Sequence, residues 1–174
     1  HPSSPTGRYL RRHPERRAIV PYGVDTDLFT PQGECERYGS GERPVAGWCG
    51  RLDATSKETK RLDIALDATS LADVDLVVLG DGEERAEWER YAQKLGIGNR
   101  VHFLGAVPRE RVAAVYRGAD VLVSSSVSAE GRPLAITEAM SCGMTVVVPA
   151  IVGLNSLIDH GRNGFLYTPG DPAV

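Results

Sequence analysis

Cysteine and histidine are scarce in this chain of 174 residues. The three cysteines, Cys35, Cys49 and Cys142, form no CxxC pair, so neither a disulfide framework nor a thiolate metal site is expected. The four histidines show neither HxH nor HxxxH spacing, which leaves a zinc hydrolase without ligands. We therefore expect a reducing, cytoplasmic location and no bound metal.

Excess positive charge and long apolar runs are also lacking. The net charge is −3 at pH 7, so the chain has no bulk basic field to hold a nucleic-acid backbone, and no nucleic-acid partner is expected. The longest apolar stretch, residues 146–154, contains Pro149 and is far shorter than a membrane span. A composition of 41% hydrophobic and 25% charged residues is typical of a folded globular protein.

The first 42 residues are punctuated by proline and glycine, and we interpret them as a connector. Within residues 1–20, five arginines are balanced by Glu15 alone. This stretch fits a solvated helix that leads into a linker, and a basic surface for an anionic membrane or an acidic partner is the alternative. The folded unit is predicted over residues 43–174.

From Pro44 onward, short β-branched runs alternate with helical patterns. The predicted strands are residues 45–49, 75–79, 101–104, 121–123, 145–148 and 165–167. The predicted helices are residues 60–71, 83–96, a segment that begins at 108, 133–142 and a short one at 155–160. The strands are apolar without alternation, which indicates a parallel sheet covered by helices on both faces. With right-handed crossovers, the predicted fold is α/β, a Rossmann-like doubly wound parallel sheet.

Ligands of such sheets bind where the strands end and the helices begin. The turn Gly80–Gly82 has this position, but Arg85 stands where a dinucleotide fingerprint needs its third glycine. A tight turn explains these glycines, which argues against an NAD-dependent enzyme. After the first strand, Arg51 follows Gly50 at the carboxyl edge of the sheet. Its guanidinium group suits a phosphate, and a solvated arginine is the equal alternative.

Residues 124–140 contain the most informative group of candidate ligand-binding residues. Three serines end a strand, Gly131 gives a flexible loop, and Pro133 suits the first position of a helix. The N-terminus of that helix offers free N–H groups and a positive dipole end to an anion such as a diphosphate.

Two carboxylates flank this helix N-terminus. Glu138 lies about 7–8 Å inside the helix, where it could accept two hydrogen bonds from a vicinal diol such as a ribose. Glu130, in the preceding loop, could do the same for a sugar on the other side of the phosphates. The alternative is a loop charge and an exposed helix position, which the apolar neighbours of Glu138 disfavour.

The segment AEGRPLAITEAMSCG, with seven residues between Glu130 and Glu138, resembles the paired-glutamate signature of family 4 glycosyltransferases. These are retaining enzymes with the two-domain GT-B fold. VPYGVDTDLFTP resembles the family's interdomain linker, and GRL followed by KRLD resembles its phosphate-binding region. LVVLGDGEER, RVHFLGAVPRERVAAVYRGADVLVSSS and GRNGFLYTPGD follow in the family's order. The resemblance covers about residues 18–172 and implies the C-terminal half of a GT-B fold.

The resemblance implies roles for individual residues. Arg51 and Lys60 would contact the donor diphosphate and stabilise the departing nucleoside diphosphate, which cations and helix N–H groups can do without a metal. Because these two residues are farther apart than is usual in the family, Lys57 competes for the phosphate. Glu138 would hold the ribose, and Glu130 would hold the transferred sugar close to the reacting carbon.

Loop backbone completes the expected donor site. The residues expected to meet the sugar and phosphates are Gly131, Arg132, Pro133 and Leu134. Those expected to lie against the base are around Gly105 and Val107. Ser156 departs from the family, many members of which carry glutamate there, and this weakens any assignment of the donor. No cofactor is expected, because the substrate is a nucleotide-diphosphate sugar, UDP- or GDP-linked.

The family's acceptor-binding domain is not represented beyond residues 1–42, which we expect to be its tail and the interdomain linker. Residues 43–174 would be the donor-binding domain, truncated at its C-terminal end and inactive alone. The parent enzyme would be a hexosyltransferase acting on an acceptor sugar or a lipid-linked glycan at the cytoplasmic membrane face. A GT-B sugar-nucleotide epimerase and a non-catalytic nucleotide-binding module are the alternatives, and a Rossmann oxidoreductase comes third.

Overall fold

The computed structural model describes residues 23–131 and 133–169. The strands are β1 Val45–Cys49, β2 Asp75–Leu79, β3 Val101–Gly105, β4 Val121–Val123, β5 Thr145–Pro149 and β6 Phe165–Tyr167. The α-helices are α1 Ala54–Thr59, α2 Leu62–Leu71, α3 Arg85–Lys94, α4 Arg109–Gly118 and α5 Leu134–Ser141, and a 3₁₀ turn covers Gly98–Arg100.

The described strands form one parallel sheet in the order β3-β2-β1-β4-β5-β6. This order confirms the predicted Rossmann-like, doubly wound architecture. From β1 the chain first builds outward through β2 to β3 and then returns to β4 on the other side. The reversal opens a crevice between the carboxyl ends of β1 and β4, where ligands of such sheets bind.

Successive strand residues bury opposite faces of the sheet. Val45 and Val77 pack into a core that α4 and α5 cover. Ala46 and Leu76, each one residue away, pack into a second core beneath α2 and α3. Because both faces are covered, the strands have no solvent side and therefore no polar alternation.

The segment from Val24 to Arg43, which belongs up to residue 42 to the predicted connector, lies against α4 and the start of β1. Phe29 is completely buried in the core. Arg37 pairs with Asp120 at 2.8 Å, and α4 supplies further anchors, including the guanidinium group of Arg117, which donates to the carbonyl of Glu34. The basic stretch of residues 1–20 lies outside the described residues.

Two local predictions differ from the structure. No helix forms over residues 155–160: residues 155–157 are a turn and His160 forms an isolated bridge with Gly164. The backbone N–H of Asp159 donates to the Asn163 side chain at 2.7 Å. This local side-chain bond competes with helix formation. Helix α1 was not predicted from the pattern, and Asp53 caps its N-terminus by accepting from the Ser56 N–H at 2.7 Å. In the described ranges, no helix is long and apolar enough to cross a membrane.

Candidate functional site

Close backbone contact shapes the carboxyl edge of the sheet at β1 and β2. The N–H of Gly50 donates to the carbonyl of Leu79 at 3.0 Å. Gly80 has φ +135°, and a Cβ there would lie 1.8 Å from the Gly50 carbonyl oxygen. A glycine is therefore required at position 80. Because Gly80 has no side chain, the space beyond the carboxyl ends of these strands stays open.

A cavity of about 390 Å³ occupies that space. The ends of the first three strands, the loop after β3 and one residue of α4 line it: Cys49, Gly50, Arg51, Leu79, Gly80, Asp81, Gly105, Ala106, Val107 and Val112. Both residues expected near a base, Gly105 and Val107, are among them. Burial raises the pKa of the Cys49 thiol, so this part of the wall is neutral.

Arg51 reaches solvent beside this cavity, with a side chain that is 75% exposed. Its guanidinium group lies 3.0 Å from the Asp53 carboxylate. The N–H of Ser56, then its hydroxyl, and then Arg51 lower the pKa of Asp53. Asp53 therefore stays ionised while it caps α1 and holds Arg51 at the carboxyl edge of β1.

Glu130 lies in the loop after β4, with a side chain only 15% exposed. Its Oε1 accepts from the Ser126 hydroxyl at 2.7 Å and forms an ion pair with the Lys60 ammonium group. The Ser125 hydroxyl donates to the Lys60 carbonyl at 2.7 Å and accepts from the Trp48 indole N–H at 2.9 Å. The loop is thus fastened to the end of α1 and to β1.

The two candidate lysines have different surroundings. Lys57 lies 2.6 Å from Glu87 and 3.1 Å from Glu84, and these carboxylates raise its pKa. Its ammonium group is also 5.6 Å from the centre of the Trp88 ring. Lys57 therefore forms its ion pairs with α3 and the turn before it, whereas Lys60 forms its ion pair with Glu130.

Helix α5 begins beside Lys60. Pro133 is its N-cap residue and makes no side-chain cap hydrogen bond, so the first N–H groups of the helix are left without a side-chain cap. Trp48, Cys49, Lys60, Leu122, Val123, Ser124, Ser125, Ser126, Pro133, Ala135 and Ile136 line a small cavity of about 30 Å³. Gly131 and Leu134 are exposed at this helix start, while Arg132 lies outside the described residues.

Glu138 lies one turn inside α5, and its side chain is 12% exposed. Its Oε1 accepts a hydrogen bond from the guanidinium group of Arg109 at 2.9 Å. The Arg109 Cζ lies 5.1 Å from the centre of the buried Phe29 ring. Glu138 is therefore a sheltered carboxylate with a fixed cationic neighbour.

The turn after β5 packs on the backbone of Glu130. The N–H of Glu130 donates to the carbonyl of Val152 at 3.1 Å. Gly153 has φ +97°, and a Cβ there would lie 1.8 Å from the Glu130 carbonyl oxygen. Ser156, which stands where the family often has glutamate, donates its hydroxyl to the Gly153 carbonyl at 2.9 Å.

Sequence reasoning did not assign a role to four residues of this site: Ser125, Ser126, Arg109 and Gly153. The run of three serines after β4 was a visible signal, but the pattern does not say what each hydroxyl bonds. Arg109 and Gly153 had no signal, because their partners are distant in sequence. Within the described residues, no cluster of three or more His, Cys, Asp or Glu side chains could hold a metal ion.

The fold and this crevice define a Rossmann-like ligand-binding domain. The sequence profile of the family "Glycosyl transferases group 1" matches residues 40–174. The chain therefore belongs to the group 1 glycosyltransferase family, and its fold is the C-terminal half of the GT-B architecture.

Two relatives named as glycosyltransferases are similar to this chain in sequence. The D-inositol 3-phosphate glycosyltransferase of Mycobacteroides abscessus is 33% identical over 163 residues, 88% of this chain and 36% of the relative. The GDP-mannose-dependent alpha-(1-6)-phosphatidylinositol monomannoside mannosyltransferase of Mycolicibacterium smegmatis is 31% identical over 158 residues, 83% of this chain and 41% of the relative. This chain thus spans well under half the length of either relative.

A solved structure of Anabaena Alr3699/HepE in complex with UDP-glucose is also similar. It superposes with a TM-score of 0.72 at 28% identity, over 87% of this chain and 43% of HepE.

Proposed function

We propose that this chain is the donor-binding half of a retaining, hexose-transferring glycosyltransferase. It binds a nucleoside-diphosphate sugar in the crevice between β1 and β4. Catalysis then requires an acceptor-binding domain on the other side of the crevice, so the chain alone binds without turnover. The parent enzyme works in the cytoplasm, at the membrane face when its acceptor is a lipid-linked glycan.

One observation supports this proposal above the others. Two sheltered carboxylates, Glu130 and Glu138, flank the uncapped N-terminus of α5, and Lys60 reaches the same place. A helix N-terminus and a lysine attract the negatively charged phosphates. Carboxylates there would repel phosphates but accept hydrogen bonds from sugar hydroxyls. A positive region between two carboxylates thus matches a ligand in which phosphates lie between two sets of sugar hydroxyls.

The residues take complementary roles in the transfer. The bond between the anomeric carbon and the β-phosphate oxygen breaks, and its electron pair stays on that oxygen. A bond to the acceptor hydroxyl oxygen forms, and the hydroxyl proton passes to the departing diphosphate. Lys60, Arg51 and the α5 N-terminus stabilise the charge that develops on the departing diphosphate, without a metal. Glu130 holds hydroxyls of the transferred sugar, and Glu138 holds the ribose.

One relative and one similar solved structure name donors of the same chemical class. The mannosyltransferase of M. smegmatis is described as GDP-mannose-dependent, and HepE was crystallised with UDP-glucose. Both donors consist of a base, a ribose, a diphosphate and a hexose. The cavity at the ends of β1, β2 and β3 has room for the base beside the loop of Gly105 and Val107.

Calorimetric titration with UDP, GDP, ADP and NAD tests the proposal. We expect one nucleoside diphosphate to bind selectively. Glu138→Ala should weaken binding of that bare nucleotide about tenfold or more, since a hydrogen bond to a charged group contributes about 1.5–3 kcal/mol. Glu130→Ala should leave the bare nucleotide unaffected and weaken only the sugar-bearing donor.

Other outcomes would contradict it. Preference for NAD would favour an oxidoreductase, and unchanged donor affinity in both variants would exclude the two-carboxylate site. A chelator added to the titration should leave the affinity unchanged, because the proposed stabilisation of the diphosphate uses no metal.

A further inference from the structure

Arg109 is the first residue of α4 and follows the loop that lines the cavity at the end of β3. Its guanidinium group lies over the ring of the buried Phe29 and donates to the carboxylate of Glu138. Given the proposed function, on which this role of Arg109 rests, we infer that Arg109 is a positioning residue. It holds Glu138 in the orientation that binds the ribose and thereby sets the affinity for the nucleotide.

The ring of Phe29 holds the guanidinium group of Arg109. Phe29 is completely buried, so the packing of the core holds its ring in one position. A guanidinium group over an aromatic face is attracted to it, and its planar shape still leaves N–H groups to donate sideways. The N–H group that reaches Glu138 Oε1 at 2.9 Å is therefore held in place although the Arg109 side chain is 60% exposed.

The consequence for Glu138 is a defined orientation. A free glutamate side chain populates several rotamers, and fixing it on binding costs free energy. Arg109 makes one hydrogen bond to Oε1, and within the described part of the chain Oε2 accepts none. The carboxylate thus presents its second oxygen to a ligand hydroxyl in an arrangement that exists before the ligand arrives.

A purely structural role would have a different energetic signature. An exposed arginine in an ion pair contributes little to folding stability. The effect of Arg109 should therefore appear in ligand affinity, and only for ligands whose ribose hydroxyls reach Glu138.

Calorimetry compares the nucleotide affinity of Arg109→Ala with that of the wild type. The ligand is whichever of UDP, GDP and ADP binds most tightly. We expect its affinity to fall on the order of tenfold. The affinity for the corresponding 2′-deoxynucleotide should fall distinctly less, since part of the contact is already missing. In a Glu138→Ala background, Arg109→Ala should cause no further loss, and Arg109→Lys should restore part of the affinity.

Arg111→Ala is the matched control. Arg111 lies on the same helix and pairs with Glu36 at 2.8 Å, so its loss should leave nucleotide affinity unchanged. Equal losses for both nucleotides, a loss that persists without Glu138, or an Arg109→Ala affinity equal to that of Arg111→Ala would overturn the inference. If Glu138→Ala weakens binding and Arg109→Ala does not, the inference fails while the proposed function stands. A wild-type chain that binds no nucleotide contradicts both.

Discussion

Individual residues of the crevice work as pairs of a carboxylate and a cation. Lys60 is bound to Glu130, and Arg109 is bound to Glu138. Each pair leaves the carboxylate sheltered and the cation partly exposed. Lys57, three residues before Lys60, pairs instead with Glu84 and Glu87, at the start of α3.

This difference predicts unequal effects of two similar substitutions. Lys60→Ala should weaken binding of the nucleoside diphosphate about tenfold, because a charge-assisted hydrogen bond is lost and Glu130 is left without its cation. Lys57→Ala should change the affinity less than about twofold, since its ion pairs on the surface are of little energetic consequence. Titration of both variants with the same nucleotide measures the contrast. If Lys57→Ala had the larger effect of the two, the phosphates would bind closer to α3 than we propose.

At the scale of elements, helix α4 connects the site to the segment of residues 24–43. One end of α4 carries Arg109, which faces Glu138. The side chains of Arg111 and Arg117 bind Glu36 and the Glu34 carbonyl in the segment. The segment thus contributes to the packing of the domain, with Phe29 as its buried anchor.

We expect Phe29→Ala to lower the free energy of unfolding by about 3–4 kcal/mol, because it leaves a large cavity in the core. Phe165 is a matched control, since it is 47% exposed in β6, and Phe165→Ala should have less than about 1 kcal/mol of effect. Denaturant unfolding of the two variants gives both values. Equal effects would mean that the segment does not share the core.

At the scale of the whole molecule, ion pairs with depressed carboxyl pKa values hold the segment to the domain. A hydrogen bond from Arg37, and to a lesser extent the N–H of Val45, lower the pKa of Asp120 below its ordinary value of 3.8. Hydrogen bonds from Arg111 and then Tyr38 lower that of Glu36 below 4.5. Both carboxylates are therefore more acidic in the folded state than in the unfolded state.

The direction of the pH dependence follows from these shifts. Above the ordinary values both groups are ionised in either state, and their ion pairs contribute fully to stability. As the pH falls below about 4.5, the unfolded chain takes up protons first, and this stability is progressively lost. Unfolding measured from about pH 6 to pH 3 should show the decline, and Asp120→Asn should make it shallower. An unchanged slope in that variant would exclude Asp120 as a contributor.

The sequence by itself determined the order of the elements and the type of sheet. Apolar, unalternated strands such as Val121–Val123 recur between helical patterns, and strands of this kind, buried on both faces, are typical of a parallel sheet. The short helix expected near residue 155 was wrong, because side-chain hydrogen bonds of the turn from Asp159 to Asn163 outweigh a weak helical pattern. Glu130 and Glu138 could be predicted as neighbours of one helix N-terminus, since the loop and helix that carry them are continuous in the chain.

Only the tertiary structure decided which cations meet these carboxylates. Lys60 and Glu130 are separated by 70 positions, and Arg109 and Glu138 by 29. Such pairs form where the strand order brings the loops after β1, β3 and β4 to one edge of the sheet. Spacing along the chain cannot distinguish Lys57 from Lys60, because the direction in which each side chain points depends on the neighbours that folding supplies.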